Sequence, residues 1–569
     1  MRIKNYLPPS CALSPFLWLL VIGCNSNTLP RQAQPGSVQN SAAVSQRLRA
    51  IVRSGTLADL RWPGLADCRD QVQRLYEAEN YAPIWDRNGQ VTPQALAIVA
   101  ALENSQQKGL NQQDYDASLW PSRLNALKTA STDVDVVARF DAALTVSAMR
   151  YISDLHIGRV NPNHSPFSIE FDRTKYDLSG FLAQKILTAN DVPEVLKKVE
   201  PQYDGYQRTL NALQAYLVLT AQDNVAALKE AQKTPAPGDT YGEVEQLAQR
   251  LRVRGDLPQT AVVDTTSGLY AGSLVDAVKH FQVRHGIAPD GKLSKETLRQ
   301  LNTPLSVRVT QLEDALERWR WLPQDFSTLP VAVNIPEFVL RVFSPDHRIA
   351  LRMNVVVGKA FGHRTPIFAK DMKYIIFRPY WNIPPSIVRS EILPGLRKNG
   401  NYLTRKRLEI TDQTGHVITG GGVSASNLAQ LQTGKLMVRQ KPGPANALGL
   451  VKYMFPNEYN VYLHSTPTPQ LFSQSRRDFS HGCIRVQEPA ELAAFLLRNQ
   501  PKWTLEKINA AMQSGPDNQQ VNLAVPVPVV IVYMTAVVEE NGEVYFFDDI
   551  YGNDLSLNDA LAKQRPYKQ

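Results

Sequence analysis

Asn460-Val461-Tyr462-Leu463-His464, followed after a spacer by Ser480-His481-Gly482-Cys483-Ile484-Arg485-Val486, brings a thiol, two imidazoles and a glycine within one short length of chain. A free thiol with a pKa of about 8.5 is only slightly ionised at neutral pH, so a neighbouring imidazole is the usual route to a working sulfur nucleophile. His464 closes an apolar, strand-like run and is the candidate base for Cys483. Tyr462, two residues earlier, falls on the same strand face and is a candidate pocket residue. Gly482 frees the backbone ahead of the sulfur to turn, and its N–H and that of Cys483 are candidate donors to a developing oxyanion. The pattern is that of a cysteine acyl-transfer site.

Around this segment the apolar period is two. Val331, Val333 and Ile335, then Val339, Arg341 and Phe343, then Leu351, Met353, Val355 and Val357 predict successive strands, each bounded by turn residues. Lys373 to Tyr380, Leu450 to Met454 and Val461 to His464 extend the sheet. From about 385 to 445 the pattern is mixed and polar, and it predicts a lid inserted above the sheet. Val527 to Thr535 and Val544 to Phe547, joined by Glu540-Asn541-Gly542, predict a late hairpin returning to that sheet. The catalytic unit is thus expected over 303–515, with residues 516–569 as a hairpin and tail completing it.

Upstream the period is helical. Val72, Leu75 and Tyr76, then Leu96, Val99 and Leu102, then Ala142, Thr145, Val146, Met149 and Ile152 recur at three- and four-residue steps, so a helical scaffold is expected over 57–238. It holds no cluster of His, Cys and carboxylates; His156 and His164 are lone and read as structural. Residues 239–302 predict a compact three-helix unit, with Ser294 as the N-cap of its last helix.

At 569 residues the chain is too long for one core. Its 43% hydrophobic and 20% charged residues are ordinary for a water-facing globular protein. The net charge of +9 is dispersed; Arg405-Lys406-Arg407 lacks the interleaved aromatics of a nucleic-acid stripe, so no nucleic-acid partner is indicated, whereas an anionic wall polymer is compatible. Residues 1–24 read as an export signal, since Arg2 and Lys4 precede an apolar run too short to span a bilayer. Residues 25–56, rich in Ser, Gln, Asn and Pro, predict a flexible tether. Of the four cysteines, Cys11 and Cys24 belong to the signal. Cys68, on a helical apolar face, reads as a buried thiol, and it is the one conceivable disulfide partner of Cys483.

Three resemblances follow from these residues. Val21-Ile22-Gly23-Cys24 resembles the lipobox of bacterial lipoproteins, which implies lipidation of Cys24 and attachment to an inner or outer membrane. Ala277-Val278-x-x-Phe281-Gln282-x-x-His285-Gly286-Ile287-x-x-Asp290-Gly291, with Thr297-x-x-x-Leu301, resembles the three-helix peptidoglycan-binding domain, departing at Leu293-Ser294 where a glycine is common. The catalytic segment, with Tyr380-Trp381-Asn382-Ile383-Pro384-Pro385 and Gln440-Lys441-Pro442-Gly443-Pro444, resembles the L,D-transpeptidases of bacterial cell walls, in particular the large envelope members. Tyr81-Ala82-Pro83-Ile84-Trp85 and Asp154-Leu155-His156-Ile157-Gly158-Arg159-Val160 extend the likeness into the scaffold.

The resemblance implies a multidomain α+β protein of the periplasm or cell envelope: a helical scaffold, a three-helix wall-binding domain and a β-rich catalytic domain with a lid. It implies that Cys483 attacks the L-centre carbonyl of meso-diaminopimelate in a tetrapeptide stem and expels D-alanine. A thioester then awaits the side-chain amine of another stem, forming a 3→3 cross-link. His464 serves as general base and acid. His481 positions the loop or helps bind substrate, and Ser480 lies beside the stem. Arg485 holds a stem carboxylate or braces the loop, and Trp381 caps the pocket or is a core aromatic. No cofactor or metal is implied. The same thioester could instead pass to water, to a lipoprotein lysine or to a free D-amino acid. A zinc site of His464, His481 and Cys483 lacks a fourth ligand, and in papain-like peptidases the cysteine precedes the histidine. A non-catalytic wall-binding protein would be expected to have lost the thiol or the base.

Overall fold

The computed structural model describes residues 35–87, 89–163, 176–221, 223–323, 329–345, 348–418 and 423–563. The expected signal, with Cys11 and Cys24, lies outside them, as does His164. Among the described residues no helix is long and apolar enough to cross a membrane.

The stretch expected to be a flexible tether is instead a helix, Pro35–Ser54. Its polar composition conceals a stripe of Val44, Leu48, Ile51 and Val52, all buried, which recur at helical steps and pack on the long helix Val134–Ile157. That long helix is the spine of the scaffold. Its buried Asp141 accepts hydrogen bonds from the Tyr76 hydroxyl (2.6 Å) and the Ile84 and Trp85 N–H groups (2.9 and 2.8 Å), which fastens the Tyr81–Trp85 turn to the spine. Burial pushes its carboxyl up to about 7. Cys68 is buried in the same core, and both it and Cys483 are unbridged. This core ends near Val199. The helix Asp204–Thr220 also packs on the helix Leu305–Arg320, because its apolar residues Tyr206, Leu210 and Leu213 match that partner.

The three-helix unit comprises Val244–Val253, Ser273–Arg284 and Lys295–Asn302. Ser294 caps the last helix through the Thr297 N–H. Gln282 explains the Gln…Asp-Gly spacing: fully buried, it donates to Asp290, to the Lys292 carbonyl and to Thr297, and accepts from the Gly291 N–H. The tight turn holds Gly291 at φ +73°, a conformation that favours glycine.

The catalytic region is a sheet closed on itself. Its strands are β1 (Val331–Asn334), β2 (Val339–Phe343), β3 (Ile349–Gly358), β4 (Phe368–Phe377), β5 (Val451–Met454), β6 (Leu463–His464), β7 (Asp478–Ser480), β8 (Ile484–Val486) and β9 (Gln519–Val532). Their order is β7-β3-β8-β6-β5-β4-β9-β1-β2, and β2 pairs back onto β3. Closure removes exposed strand edges and surrounds one core.

Two expectations change here. The late hairpin does not return to this sheet. β9, which starts at Gln519 rather than Val527, does so, while Ala536–Val538 and Val544–Phe546 form a separate two-stranded sheet. That hairpin is held by apolar contacts to Asp204–Thr220 and Leu305–Arg320, and Phe546 meets Tyr216, His285 and Arg308. The lid is more than a polar loop: Trp381–Asn382, Leu408–Thr411 and Met437–Gln440 form a three-stranded sheet, and with the helix Ala425–Thr433 they enclose their own apolar core, including Ile383, Ile392, Leu396, Ile410 and Val438.

Candidate active site

β6 and β8 run parallel, with Leu463 opposite Ile484 and His464 opposite Arg485. Leu463 and Ile484 turn into the core. By strand alternation the residues of the other face are Tyr462, His464, Cys483 and Arg485, so the thiol and the imidazole share one face. Across the antiparallel pair β5–β6, Lys452 stands opposite His464 and joins them.

Cys483 is half-buried, and burial pushes its thiol up from the ordinary range, while Tyr462 and the Lys452 charge act in the opposite direction. The Asn460 carbonyl lies 3.7 Å from the sulfur, and Tyr462 and Trp381 lie in the same pocket. The phenol itself is driven well above its ordinary value by burial, so it stays a donor. Tyr462, rather than His464, is the side chain whose influence on the thiol is felt.

His464 is 4% exposed. Its Nδ1 lies 2.5 Å from the Ser465 carbonyl, which makes Nδ1 a donor. Burial, and secondarily the Arg485 charge, hold the ring down at about 3, so it is a neutral base. The Tyr462 and His464 rings meet edge to face at 5.9 Å.

Two sequence-based roles are corrected. The Gly482 N–H is not open to an oxyanion, because it donates to Ser480 Oγ (3.1 Å), while the Gly482 carbonyl accepts from Thr365 Oγ1 (2.8 Å). Ser480, buried rather than beside substrate, also donates to the Cys483 carbonyl (2.6 Å), so its hydroxyl is consumed in shaping the turn. Gly482 holds φ +113°, and β3 ends against it: a Cβ on Gly358 would overlap the His363 carbonyl and come within 3.0 Å of Gly482 Cα. The Cys483 N–H has no acceptor among the described residues.

His481 engages the lid. Its Nε2 pairs with Glu391 Oε1 (2.7 Å) in the lid, and its ring packs on His363 at 4.7 Å. Arg485 donates to Thr468 Oγ1 at 3.2 Å, and its Nε is buried with no partner among the described residues. Trp381, half-buried, links lid core and pocket. Lys452 and Glu391 were not singled out in the sequence; alternation of β5 against His464 could have found the lysine, but nothing short of the fold joins Glu391 to His481.

The arrangement offers a thiol, a phenol and an imidazole on one strand face, two cations without carboxylate partners among the described residues, and a lid. Comparison with known proteins identifies the domains. Residues 331–529 match the L,D-transpeptidase catalytic domain, residues 240–301 the family described as "Putative peptidoglycan binding domain", and residues 70–213 the scaffold domain. A Haemophilus influenzae protein described as "Putative L,D-transpeptidase" is 28% identical over 281 residues, which cover 48% of this chain and 55% of that protein. The match thus spans about half the length of that relative. The chain accordingly carries a scaffold domain, a peptidoglycan-binding domain and an L,D-transpeptidase catalytic domain.

Proposed function

We propose that this L,D-transpeptidase domain forms 3→3 cross-links between peptidoglycan stems, with Cys483 as nucleophile. The observation that carries the reading is the single strand face shared by Cys483, Tyr462, His464 and Arg485. Tyr462 steadies the thiolate, and His464, a neutral diagonal neighbour on the same strand face, takes the thiol proton. The sulfur adds to the L-centre carbonyl of the third stem residue. The Cys483 N–H faces the oxyanion, and His464 returns the proton to the departing D-alanine amine. The thioester is then opened by the side-chain amine of a second stem. Arg485, with a buried nitrogen to spare, pairs with a stem carboxylate, and Trp381 borders the pocket through Tyr462. His481 positions the lid through Glu391.

The substrate places the protein in the cell envelope, and Cys24 is proposed as its lipid attachment. The deciding experiment is incubation with purified tetrapeptide muropeptides, with products read by mass spectrometry. Wild type should give 3→3 dimers, and Cys483→Ala and His464→Ala none. Undiminished dimers from Cys483→Ala would sink the proposal, and tripeptide or exchanged stems in place of dimers would move the acceptor to water or a free D-amino acid.

A further inference from the structure

We propose that Lys452 is the electrostatic counterpart of the Cys483 thiolate: its ammonium extends over Tyr462 to offset the charge that the sulfur acquires. This rests on Cys483 being the nucleophile. Lys452 belongs to β5, two strands from Cys483, a separation of roughly 10 Å across the sheet that a four-carbon stem largely covers. The register fixes its direction. Lys452 pairs with His464 on one side and Ile376 on the other, so it emerges on the face that carries Tyr462 and Cys483.

Its Nζ lies 5.5 Å from the centre of the Tyr462 ring, which stands on the strand face of Cys483. The side chain is half-buried, and no carboxylate lies within ion-pair distance of it among the described residues. The charged or titratable groups facing it are Tyr462, His464, Cys483 and, beyond the imidazole, Arg485; Ile376 is apolar. The thiolate is the one of these that bears negative charge in the working enzyme, since the phenol is held protonated and the imidazole neutral. A buried ammonium that lacks a counter-ion is costly, and ionisation of Cys483 supplies one. The two groups respond accordingly: burial pulls the ammonium down while the sulfur's charge raises it, and the ammonium acts to lower the thiol. Lys452 is in this sense a positioning residue, setting how much thiolate exists before substrate arrives.

The test is the pH profile of Cys483 alkylation by iodoacetamide, read on the Cys483-containing peptide by mass spectrometry, so that Cys68 does not contribute. Lys452→Gln and Lys452→Met should move the profile up by about one unit, slowing alkylation at pH 7 about tenfold, and Lys452→Arg should restore most of the rate. Circular dichroism identifies any variant that fails to fold, in which case Lys452→Arg against wild type and the remaining neutral variant decides. Neutral variants whose profiles superimpose on wild type overturn the role of Lys452 and leave the transpeptidase reading intact. Cross-linking that survives in Cys483→Ala would instead remove that reading, whatever the alkylation profile shows.

Discussion

Replacing His464 with glutamine should remove a large part of the catalytic domain's sensitivity to mild acid. The folded imidazole is held down at about 3 by burial, with the Arg485 charge adding to it, against 6.5 for an unburied histidine. Below pH 6.5 the unfolded chain takes up a proton that the folded chain refuses, so the unfolded state binds more protons and stability falls with pH. The loss begins near 6.5 and levels off once the folded ring titrates near 3. At pH 5 it amounts to about 2 kcal/mol, and in full to about 5 kcal/mol, treating each pKa unit as about 1.4 kcal/mol. Glutamine keeps an N–H for the Ser465 carbonyl but does not titrate. Hydrogen exchange of peptides covering 451–464 and 484–486, between pH 8 and pH 5 and corrected for intrinsic rates, isolates this domain from the others. Wild type should lose about 30-fold more protection than His464→Gln over that interval. Equal losses in the two proteins, or a His464 resonance titrating near neutrality, would refute the idea of an imidazole held neutral.

Gly358→Ala should misplace the Cys483 loop, because its methyl would overlap the His363 carbonyl and crowd Gly482; a cost of about 1–3 kcal/mol should accompany a large fall in kcat, measured by muropeptide turnover and thermal melting. Phe546→Ala, which vacates a fully buried site between Tyr216, His285 and Arg308, should cost about 3–5 kcal/mol and expose the three-helix domain to limited proteolysis while leaving small-substrate chemistry detectable. Cys24→Ser should abolish labelling by a fatty-acid analogue that marks the wild type.

The sequence was most legible where a local pattern is itself the structure. The three helices of residues 244–302, the Ser294 cap and the alternation of the early strands are consequences of short-range periodicity and capping, and all appear where expected. The face shared by Tyr462, His464, Cys483 and Arg485 was half legible: alternation relates Tyr462 to His464, but the register that sets Cys483 beside Tyr462 belongs to the pairing of β6 with β8. Lys452 was hidden for the same reason. Ser480 and Gly482 were misassigned because their hydroxyl and amide can serve either a ligand or their own turn, and composition does not distinguish these. The helix Pro35–Ser54 was missed because polar residues outnumber its four apolar contacts, and those contacts gain their value from the partner helix. The hairpin Ala536–Phe546 alternates like any sheet strand; only its neighbours show that it serves a different layer.

That hairpin has a mechanical consequence. It leaves the catalytic sheet through β9 and docks against the wall-binding helices through the Arg284 bond to the Val544 carbonyl (2.6 Å) and His280 to Glu543 (3.0 Å). The catalytic sheet and the three-helix domain are thus braced like the two jaws of a caliper. Neither can shift against the other without breaking those two bonds or stripping the hairpin from the helices beneath it.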